Sequence, residues 1–235
     1  VEPMSRIRRL TAEHMVRSRD TSVHVTTVFD IDMTAVVTAR SRHRQAFEEA
    51  TGTKLTFMPF IFDAVVRALR RHRKLNASIE GEDVLYRRDI HLGMAVATER
   101  GLLVPVIHHA DRLSLAGLAE RANDLAERAR SRQLKPDEVQ RGTFTITNPG
   151  VYGSLFGTPI IHQPQVAILC VGAIQKRPVV VDSGGQDAIA IRSRAYMAIT
   201  YDHRLIDGVD AELFMADVGE TLEGEDWESL LAVAP

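Results

Sequence analysis

The sequence contains one cysteine and one tryptophan, and aromatic residues make up only 6% of its 235 residues. A single cysteine cannot form a disulfide within the chain, which excludes the class of small domains stabilised by disulfides. Cys170 lies in an apolar run over residues 166–172 that predicts a buried strand, so we interpret it as a core thiol and not as a nucleophile. This cysteine usage fits a reducing compartment, the cytoplasm or, in a eukaryote, the mitochondrial matrix.

An excess of charge of one sign and a long hydrophobic run are also absent. The 29 basic and 31 acidic residues leave a net charge of −2, so neither nucleic acid nor an acidic membrane is expected as the main partner. No apolar run approaches the roughly 18 residues of a membrane-spanning helix, and residues 1–6 lead into a charged stretch instead of a signal peptide. Because the sequence opens on Val1 and not on methionine, we expect a fragment of a longer protein.

The composition that remains is typical of globular proteins, with 45% hydrophobic and 26% charged residues. Helical periodicity and strand-like alternation are mixed, without the regular alternation of a doubly wound sheet, which predicts a single α+β domain over residues 1–235. Helices are predicted at 4–18, 34–50, 59–75, 114–132 and 207–222, and strands at 23–33, 143–147, 166–171, 178–181 and 188–200, with two or three more between 84 and 107.

Residues 201–208 form the most informative segment. His203 follows a strand-like apolar run, Asp207 comes four residues later, and Gly208 stands where a helix can begin. A histidine ordinarily changes charge near neutral pH, so it suits taking and returning a proton. Asp207 is equally well interpreted as support for such a site or as the N-cap of the following helix, and both roles are compatible. Asp202 and Arg204 are interpreted as structural or as the rim of a pocket.

A second informative segment ends at Thr147. Residues 143–146 carry a strand into this threonine, and the sequence Asn148-Pro149-Gly150 then breaks the strand. A hydroxyl at a strand end, beside a turn, is well placed to face a pocket. Taken alone, Thr147 is also explained as a residue that caps the turn.

Other polar groups are interpreted as structural. His108 and His109 beside Asp111 suggest a metal, but adjacent histidines point apart on a strand and no third ligand has suitable spacing, so no metal is expected. His24 is expected to pack or hydrogen-bond near the first strand. The basic run over residues 67–74 is interpreted as the solvated face and last turn of a helix, where cations are favoured by the helix dipole.

The pattern Asp-His-Arg-x-x-Asp-Gly over residues 202–208 resembles the active-site signature of the dihydrolipoamide acyltransferases of the 2-oxoacid dehydrogenase complexes. The similarity covers nearly the whole chain and corresponds to the catalytic domain alone, without the lipoyl and peripheral-subunit-binding domains. It implies the fold of chloramphenicol acetyltransferase, a mixed β-sheet flanked by helices and assembled as trimers. Besides residues 202–208 it rests on residues 7–9 with Met15, 22–26, 101–106, 142–150, 153–160, 164–169 and 172–174.

The resemblance implies transfer of an acyl group between two thiols, those of coenzyme A and of a lipoyl group carried on a separate lipoyl domain. His203 would take the proton from the attacking thiol, and Thr147 would donate a hydrogen bond to the oxyanion of the tetrahedral intermediate. Asp207 would support the site, and where this position is Asp the family pairs it with an arginine of the first helix, which Arg8 matches. Neither a covalent enzyme intermediate nor a metal is implied.

The resemblance also implies how the chain assembles. His203 and Thr147 are expected to meet across the interface of a homotrimer, and such trimers build a cubic or dodecahedral core, to which residues 227–231 are a candidate contact. The decarboxylase and dihydrolipoamide dehydrogenase components would bind through the absent domains. Among acyl groups, succinyl is favoured over acetyl and acetyl over branched-chain acyl, because residues 147–148 and 153–159 look most like those of succinyltransferases. The residues that bind the phosphates of coenzyme A are not assigned.

Two other functions stay open at this stage. The first is a small-molecule O-acyltransferase of the chloramphenicol type, which shares fold and chemistry and would not accept dihydrolipoamide. The second is an inactive trimeric scaffold that only organises partner enzymes. The presence of His203, Thr147 and Asp207 together argues against the scaffold.

Overall fold

The computed structural model describes residues 1–99 and 101–232, and its centre is a mixed seven-stranded β-sheet with helices packed on one face. The helices are α1 (Arg6–Thr21), α2 (Thr34–Thr51), α3 (Met58–Arg71), α4 (Leu115–Arg130), α5 (Gly208–Gly224) and α6 (Trp227–Ala232). The strands are β1 (His24–Asp32), β2 (Ala77–Glu80), β3 (Asp83–Tyr86), β4 (Leu92–Met94), β5 (Val96–Thr98), β6 (Gly101–Leu103), β7 (Val106–Ile107), β8 (Phe144–Thr147), β9 (Ala167–Val171), β10 (Gln175–Asp182) and β11 (Asp187–Asp202).

The sheet has the strand order β1-β11-β9-β8-β4-β7, and β10 pairs with the first half of β11. The pairs β9–β8 and β8–β4 are parallel, whereas β1–β11, β11–β9, β10–β11 and β4–β7 are antiparallel. The hairpins β2–β3 and β5–β6 lie outside this sheet. The observed architecture is therefore the expected mixed sheet with flanking helices.

Alternation along β8 separates the two faces of the sheet. Phe144 and Ile146 are fully buried, and the Phe144 ring lies 5.8 Å from that of Phe214 on α5, so these side chains face the helices. The intervening Thr145 and Thr147 therefore point to the opposite face. We call this opposite side the helix-free face.

Most helix boundaries agree with the sequence patterns because local signals set them. Ser114 caps α4 by accepting a hydrogen bond from the backbone N–H of Gly117, and Gly52 ends α2 with φ 67°, a conformation that glycine adopts without strain. Pro59 lies in the first turn of α3, as expected. Among the described residues, no helix combines the length and the hydrophobicity that a membrane span requires.

One expectation is corrected and a second is narrowed. The region between residues 84 and 107 contains five strands instead of two or three, because several are only two or three residues long and such strands show no alternation in sequence. In the segment 227–231, the candidate contact between trimers, Leu230 is 39% exposed, whereas Trp227 is 1% exposed and packs edge-on against Phe60 at 5.2 Å. Its indole belongs to the core of this chain because α6 folds back onto α2.

Candidate active site

His203 is the first residue after β11 and its backbone is fixed. The backbone N–H of His203 donates to the carbonyl of Val23 at 2.8 Å, which continues the ladder between β1 and β11 past the last strand residue. The side chain is 43% exposed, and Nδ1 lies 3.8 Å from Oδ1 of Asp207. An imidazole held at a sheet edge, open to solvent and beside a carboxylate, is suited to proton transfer.

The turn that carries His203 is organised by Asp202. Its carboxylate is 1% exposed and accepts hydrogen bonds from the backbone N–H of Val23 at 3.2 Å and from the guanidinium of Arg204 at 2.6–3.1 Å. Burial alone raises the pKa of Asp202, but the hydrogen bonds from Arg204, from the Ser22 hydroxyl and from backbone N–H groups outweigh it and hold this pKa below its usual range. The structural interpretation of Asp202 and Arg204 fits these contacts.

Asp207 is the N-cap residue of α5, with extended backbone angles of φ −85° and ψ 162°. Its own N–H donates to a carboxylate oxygen of Asp210 at 3.1 Å. The carboxylate of Asp207 lies at the same end of the sheet as His203, with Oδ1 3.8 Å from Nδ1 of the imidazole. The N-cap role proposed from sequence is confirmed.

Thr147 lies at the opposite end of the sheet from His203. Thr147 pairs with Cys170 on β9, and Cys170 pairs with Ala198 on β11, whereas His203 lies five residues beyond Ala198. At about 3.3 Å per strand residue this offset corresponds to roughly 17 Å along the strand direction, in addition to two strand spacings. One chain therefore does not bring Thr147 and His203 together. Within residues 1–99 and 101–232, the Thr147 side chain forms no hydrogen bond.

The segment after Thr147 is held by close contact between backbones. A Cβ atom on Gly172, just past β9, would lie 1.7 Å from the carbonyl oxygen of Leu155, and one on Gly150 would lie 2.3 Å from the carbonyl carbon of Gly172. Only glycine at both positions allows this approach. The loop over residues 149–157 is thus pressed against the end of β9 beside Thr147.

Arg8, the expected partner of Asp207, lies on the exposed face of α1. Its guanidinium is near Gly101, where an added Cβ atom would be 3.9 Å from Nη2. In the part of the chain that the structure describes, Arg8 forms no ion pair with Asp207. Thr21 lies 13 positions after Arg8 on α1, about 20 Å away at 1.5 Å per residue, and only the end near Thr21 adjoins β1 and the His203 turn.

A cluster that the sequence did not predict joins Asp89, His91 and His109, with one ligand-type atom of each within 4.8 Å of the others. The expectation that His108 and His109 point apart on a strand is wrong, because β7 ends at Ile107 and His109 adopts φ 51°. The rings of both histidines therefore approach His91, with centroids 5.0 and 4.7 Å away. The antiparallel pairing of β4 with β7 brings these distant residues together.

Hydrogen bonds within this cluster do not suit a metal. The backbone N–H of His109 donates to Nδ1 of His91 at 2.9 Å, so the neutral ring carries its proton on Nε2 and has no free lone pair there. Metal-ligating histidines have the reverse arrangement, with the second nitrogen as a donor. Burial, followed by the neighbouring His108 and His109, lowers the pKa of His91, which favours this neutral form. Asp89 is paired with Arg112 at 2.8 Å. We assign no metal to the cluster.

Three further expectations are confirmed. Cys170 is 1% exposed on β9, and burial raises the pKa of its thiol, so it is a core thiol and not a nucleophile. His24 hydrogen-bonds the carbonyl of Ser22 and accepts from the N–H of Ile161, both at 3.1 Å. In the basic run, Arg70 and Arg71 lie in the last turn of α3 as expected, although residues 72–74 lie beyond the end of this helix.

The mixed sheet covered by helices on one face is the fold of the chloramphenicol acetyltransferase class. The solved chloramphenicol acetyltransferase shares this fold at a TM-score of 0.56, with 16% identity over 90% of this chain and 94% of that chain. Within this class, the sequence model of the 2-oxoacid dehydrogenases acyltransferase catalytic domain matches residues 1–232. The chain belongs to that family.

Individual relatives agree with the family match. The chain is 49% identical over 232 residues to the dihydrolipoyllysine-residue acetyltransferase component of the pyruvate dehydrogenase complex of Mycobacterium tuberculosis, covering 97% of this chain and 42% of that protein. It is 42% identical over 231 residues to the succinyltransferase component of the 2-oxoglutarate dehydrogenase complex of Bacillus subtilis, covering 98% of this chain and 54% of that protein. The chain therefore spans about half the length of these relatives, or less.

Solved structures agree as well. A dihydrolipoamide acetyltransferase of Azotobacter vinelandii, studied for the role of a serine, a histidine and an asparagine in its catalytic mechanism, has a TM-score of 0.90 and 36% identity over 98% of this chain and 93% of that chain. The cubic core of a pyruvate dehydrogenase multienzyme complex has a TM-score of 0.90 and 35% identity, again over 98% and 93%.

Proposed function

We propose that this chain transfers an acyl group between coenzyme A and the lipoyl thiol of a 2-oxoacid dehydrogenase complex, with His203 as the general base. The observation that carries the proposal is the position of His203, which is fixed by Val23 and Asp202 at the open end of the sheet and lies 3.8 Å from Asp207. The Azotobacter protein was studied for the role of a serine, a histidine and an asparagine in its mechanism, and this chain offers a hydroxyl at Thr147, a histidine at His203 and a carboxylate instead of an amide at Asp207.

The proposed reaction needs no nucleophile from the protein. His203 removes the proton from the attacking thiol, because a thiol near pH 7 is mostly protonated and only the thiolate attacks. The new carbon–sulfur bond forms at the thioester carbonyl, and the Thr147 hydroxyl donates to the oxygen that becomes negative. When the tetrahedral intermediate collapses, the old carbon–sulfur bond breaks and the proton on His203 passes to the departing thiolate.

We further propose that each active site is shared between two copies of the chain in a homotrimer. The register of β8, β9 and β11 separates Thr147 from His203 within one chain, so a working site requires His203 of one copy beside Thr147 of another. The exposed apolar residues of α1 support such an assembly, because this helix is otherwise poorly covered. They are Ile7, Leu10 and Val16, each 49–54% exposed.

Arg8 also fits a shared site better than a site within one chain. An ion pair with Asp207 of a neighbouring copy is consistent with the outward position of Arg8 on α1. In that pair the guanidinium would keep the Asp207 carboxylate oriented toward His203. The lipoyl group would arrive on a separate domain, and the decarboxylase and dihydrolipoamide dehydrogenase components would bind outside this chain. We propose a cubic or larger core as the final assembly, by analogy with the solved cubic core.

The acyl group is left to experiment, because the relatives divide between acetyl- and succinyltransferases. The motif over residues 147–159 favours succinyl, whereas the mycobacterial relative at 49% identity is an acetyltransferase component. Initial rates of transfer to dihydrolipoamide from acetyl-, succinyl- and isobutyryl-coenzyme A, measured side by side, will identify the donor. Transfer to chloramphenicol but not to dihydrolipoamide would instead favour a small-molecule acyltransferase.

Complementation between two inactive variants tests the shared site. His203→Ala and Thr147→Val proteins are unfolded together at equal amounts and refolded, so that mixed trimers form. If the site is shared, a site with His203 from one chain and Thr147 from the other regains full function, and about a quarter of the wild-type activity returns with random mixing. The matched control is refolding of each variant alone.

The alternatives predict different results in the same experiment. A site within one chain gives no recovery, since every chain carries one defect. An inactive scaffold gives no transfer from any donor even for the unmodified protein. A stable monomer in size-exclusion chromatography with light scattering would also contradict the shared site.

A further inference from the structure

A cavity of about 590 Å³ opens beside the starts of β4 and β8, apart from both His203 and Thr147. Its wall includes Gly93, Val106 and Thr143, which belong to the helix-free face or adjoin it. Gln163 and Gln165, in the loop before β9, close one side. The volume lies within the range of 300–1,000 Å³ that is usual for small-molecule sites.

The charge around the cavity is strongly positive. Arg87, Arg88 and Arg141 line it, and Asp89 is the carboxylate among its lining residues. Arg112 already neutralises Asp89, at 2.8 Å. Arg87 bonds Ser78 and, at 3.2 Å, the exposed Glu80. Within residues 1–99 and 101–232, Arg88 and Arg141 have no carboxylate partner, so two guanidinium groups at the cavity have uncompensated charge.

The cavity is also built from constrained backbone and orphaned polar groups. Arg141 adopts φ 61°, a left-handed conformation that costs free energy for a residue other than glycine and that clusters at functional sites. At the next residue, Gly142, an added Cβ atom would lie 3.1 Å from Nε2 of Gln165, so glycine keeps this side open. His162 lines the cavity, and its buried Nδ1 has no hydrogen-bond partner in the described part of the chain.

We propose that this cavity binds the phosphate groups of a nucleotide-type ligand, with Arg88 and Arg141 as the recognising residues. Guanidinium groups bind phosphate oxygens in pairs. The carboxamide of Gln163 has a second N–H besides the one that donates to Ser22 at 2.7 Å. Val104, Val106 and Val139 provide apolar surface against which a base or an aliphatic arm packs. The same chemistry is offered by two sources, the phosphorylated end of coenzyme A and a separate adenine nucleotide.

The position of the cavity suits binding of the phosphates of coenzyme A. Thr143 lines the cavity and directly precedes β8, and Thr147 is the last residue of that strand. The two residues are on the same face and four positions apart, which is about 13 Å at 3.3 Å per residue. A ligand with a long flexible arm can place its thiol near Thr147 and its phosphates in the cavity. This part of the inference rests on the proposed acyl transfer, whereas phosphate binding in the cavity does not.

Equilibrium binding to the assembled protein tests the proposal. Isothermal titration with coenzyme A, adenosine 3′,5′-bisphosphate, ADP and inorganic phosphate is compared for the unmodified protein, Arg88→Gln, Arg141→Asn and the double variant. Asparagine at 141 removes the charge and tolerates positive φ. Arg130→Gln, on the exposed face of α4, is the matched loss of one arginine away from the cavity. Each single variant is expected to weaken nucleotide binding about tenfold or more, and Arg130→Gln not at all.

Steady-state kinetics then identifies the ligand. If KM for coenzyme A rises as much as nucleotide binding weakens, while KM for dihydrolipoamide and kcat are unchanged, coenzyme A is the occupant. Weaker nucleotide binding with an unchanged KM for coenzyme A supports a separate nucleotide. Equal binding of all four probes by the unmodified protein, the double variant and Arg130→Gln overturns the proposal. If the unmodified protein binds a probe but transfers no acyl group, acyl transfer fails while the cavity assignment stands.

Discussion

The two ends of the central sheet differ in how far their backbone groups and apolar side chains find partners within one chain. At the His203 end, the backbone N–H of His203 is bonded to Val23, and the N–H groups of Leu205 and Ile206 are bonded to the carbonyl of Asp202. At the Thr147 end, the following loop exposes large apolar side chains instead. These are Val151, Tyr152, Leu155 and Phe156, between 45% and 78% exposed.

This difference suggests which end would depend on a second copy in the proposed trimer. Intrachain hydrogen bonds fix the backbone of His203, the proposed base, so its position is a property of the single chain. The hydroxyl lies beside an apolar surface that a monomer would leave in water, and such surfaces mark contacts between proteins. Substitutions at the Thr147 end should therefore affect catalysis, the packing of the following loop and assembly, whereas substitutions that support the turn around His203 should act mainly on stability.

After loss of His203 itself, the largest effect is expected for Thr147→Val, which removes the hydroxyl and keeps the shape of the side chain. Loss of one oxyanion donor lowers kcat by about 10²–10³-fold, because the donor acts mainly in the transition state. Initial-rate measurements with the preferred acyl donor provide the test, and Thr147→Ser is the control that restores the donor. A valine variant with kcat within a few-fold of the unmodified protein would remove Thr147 from the mechanism.

Gly172→Ala should disturb the Thr147 end without touching its chemistry. The new Cβ would overlap the carbonyl oxygen of Leu155, so the loop over residues 149–157 must move. Overpacking of this kind costs about 1–3 kcal/mol of stability. Urea unfolding measures the loss, and light scattering shows whether the displaced loop also weakens the trimer. Gly153→Ala is the control without a steric clash, since nothing lies within 4 Å of its added Cβ. Its φ of 90° adds backbone strain, so this variant separates strain from overpacking.

At the His203 end, Arg204→Gln should act mainly on stability, by about 1–2 kcal/mol, since the buried Asp202 loses part of its hydrogen bonding. Water reaches the half-exposed Arg204 site and keeps the loss small. The folded-state pKa of Asp202 is depressed. Its contribution is therefore fully present above the unfolded pKa of about 4, and it is lost as the pH falls through the lower folded value.

Urea unfolding from pH 7 to pH 3 follows this contribution. The unmodified protein should lose stability more steeply below pH 4 than Arg204→Gln does, because the variant raises the folded pKa of Asp202 toward the unfolded one. Parallel curves for the two proteins would show that Arg204 does not set the ionisation of Asp202.

The smallest effect is expected for Asp207, whose side chain is 75% exposed and therefore well solvated. Asp207→Asn keeps an N-cap oxygen and removes the charge, whereas Asp207→Ala removes both and should cost about 1 kcal/mol of stability. If Asp207 only caps α5, the Asn variant keeps both its melting temperature and its kcat. A several-fold loss of kcat in the Asn variant, at unchanged stability, would demonstrate support of His203 by the charge.

Local chemistry explains which features the sequence predicted. The caps at Ser114 and Asp207, the turn at Gly52 and the strand that ends before His203 depend on residues a few positions apart, so their signals survive in the sequence. The opposite positions of Thr147 and His203 depend instead on the register of three strands. No pattern within β8 or β11 encodes that register, and only the family resemblance pointed to a shared site.

The features that the sequence missed arise from long-range packing. Trp227 is buried because α6 folds back onto α2, and a single aromatic residue near a chain end carries no sign of that contact. The approach of His91 to His109 depends on the two-residue pairing of β4 with β7. The cavity beside Arg88 and Arg141 is formed by loops from distant parts of the chain, and sequence analysis assigned it no role.

The burial of Cys170 has a consequence for the proposed substrate chemistry. A protein that handled a dithiol would be exposed to thiol–disulfide exchange, which requires an accessible thiolate on the protein. The one thiol of this sequence is 1% exposed and its pKa is raised, so it is shielded from mixed disulfides with the lipoyl arm. Because Cys170 is shielded, a cysteine introduced at Tyr152 or on α1 would be the reactive thiol in a labelling experiment. Crosslinking through that cysteine would report contacts between subunits.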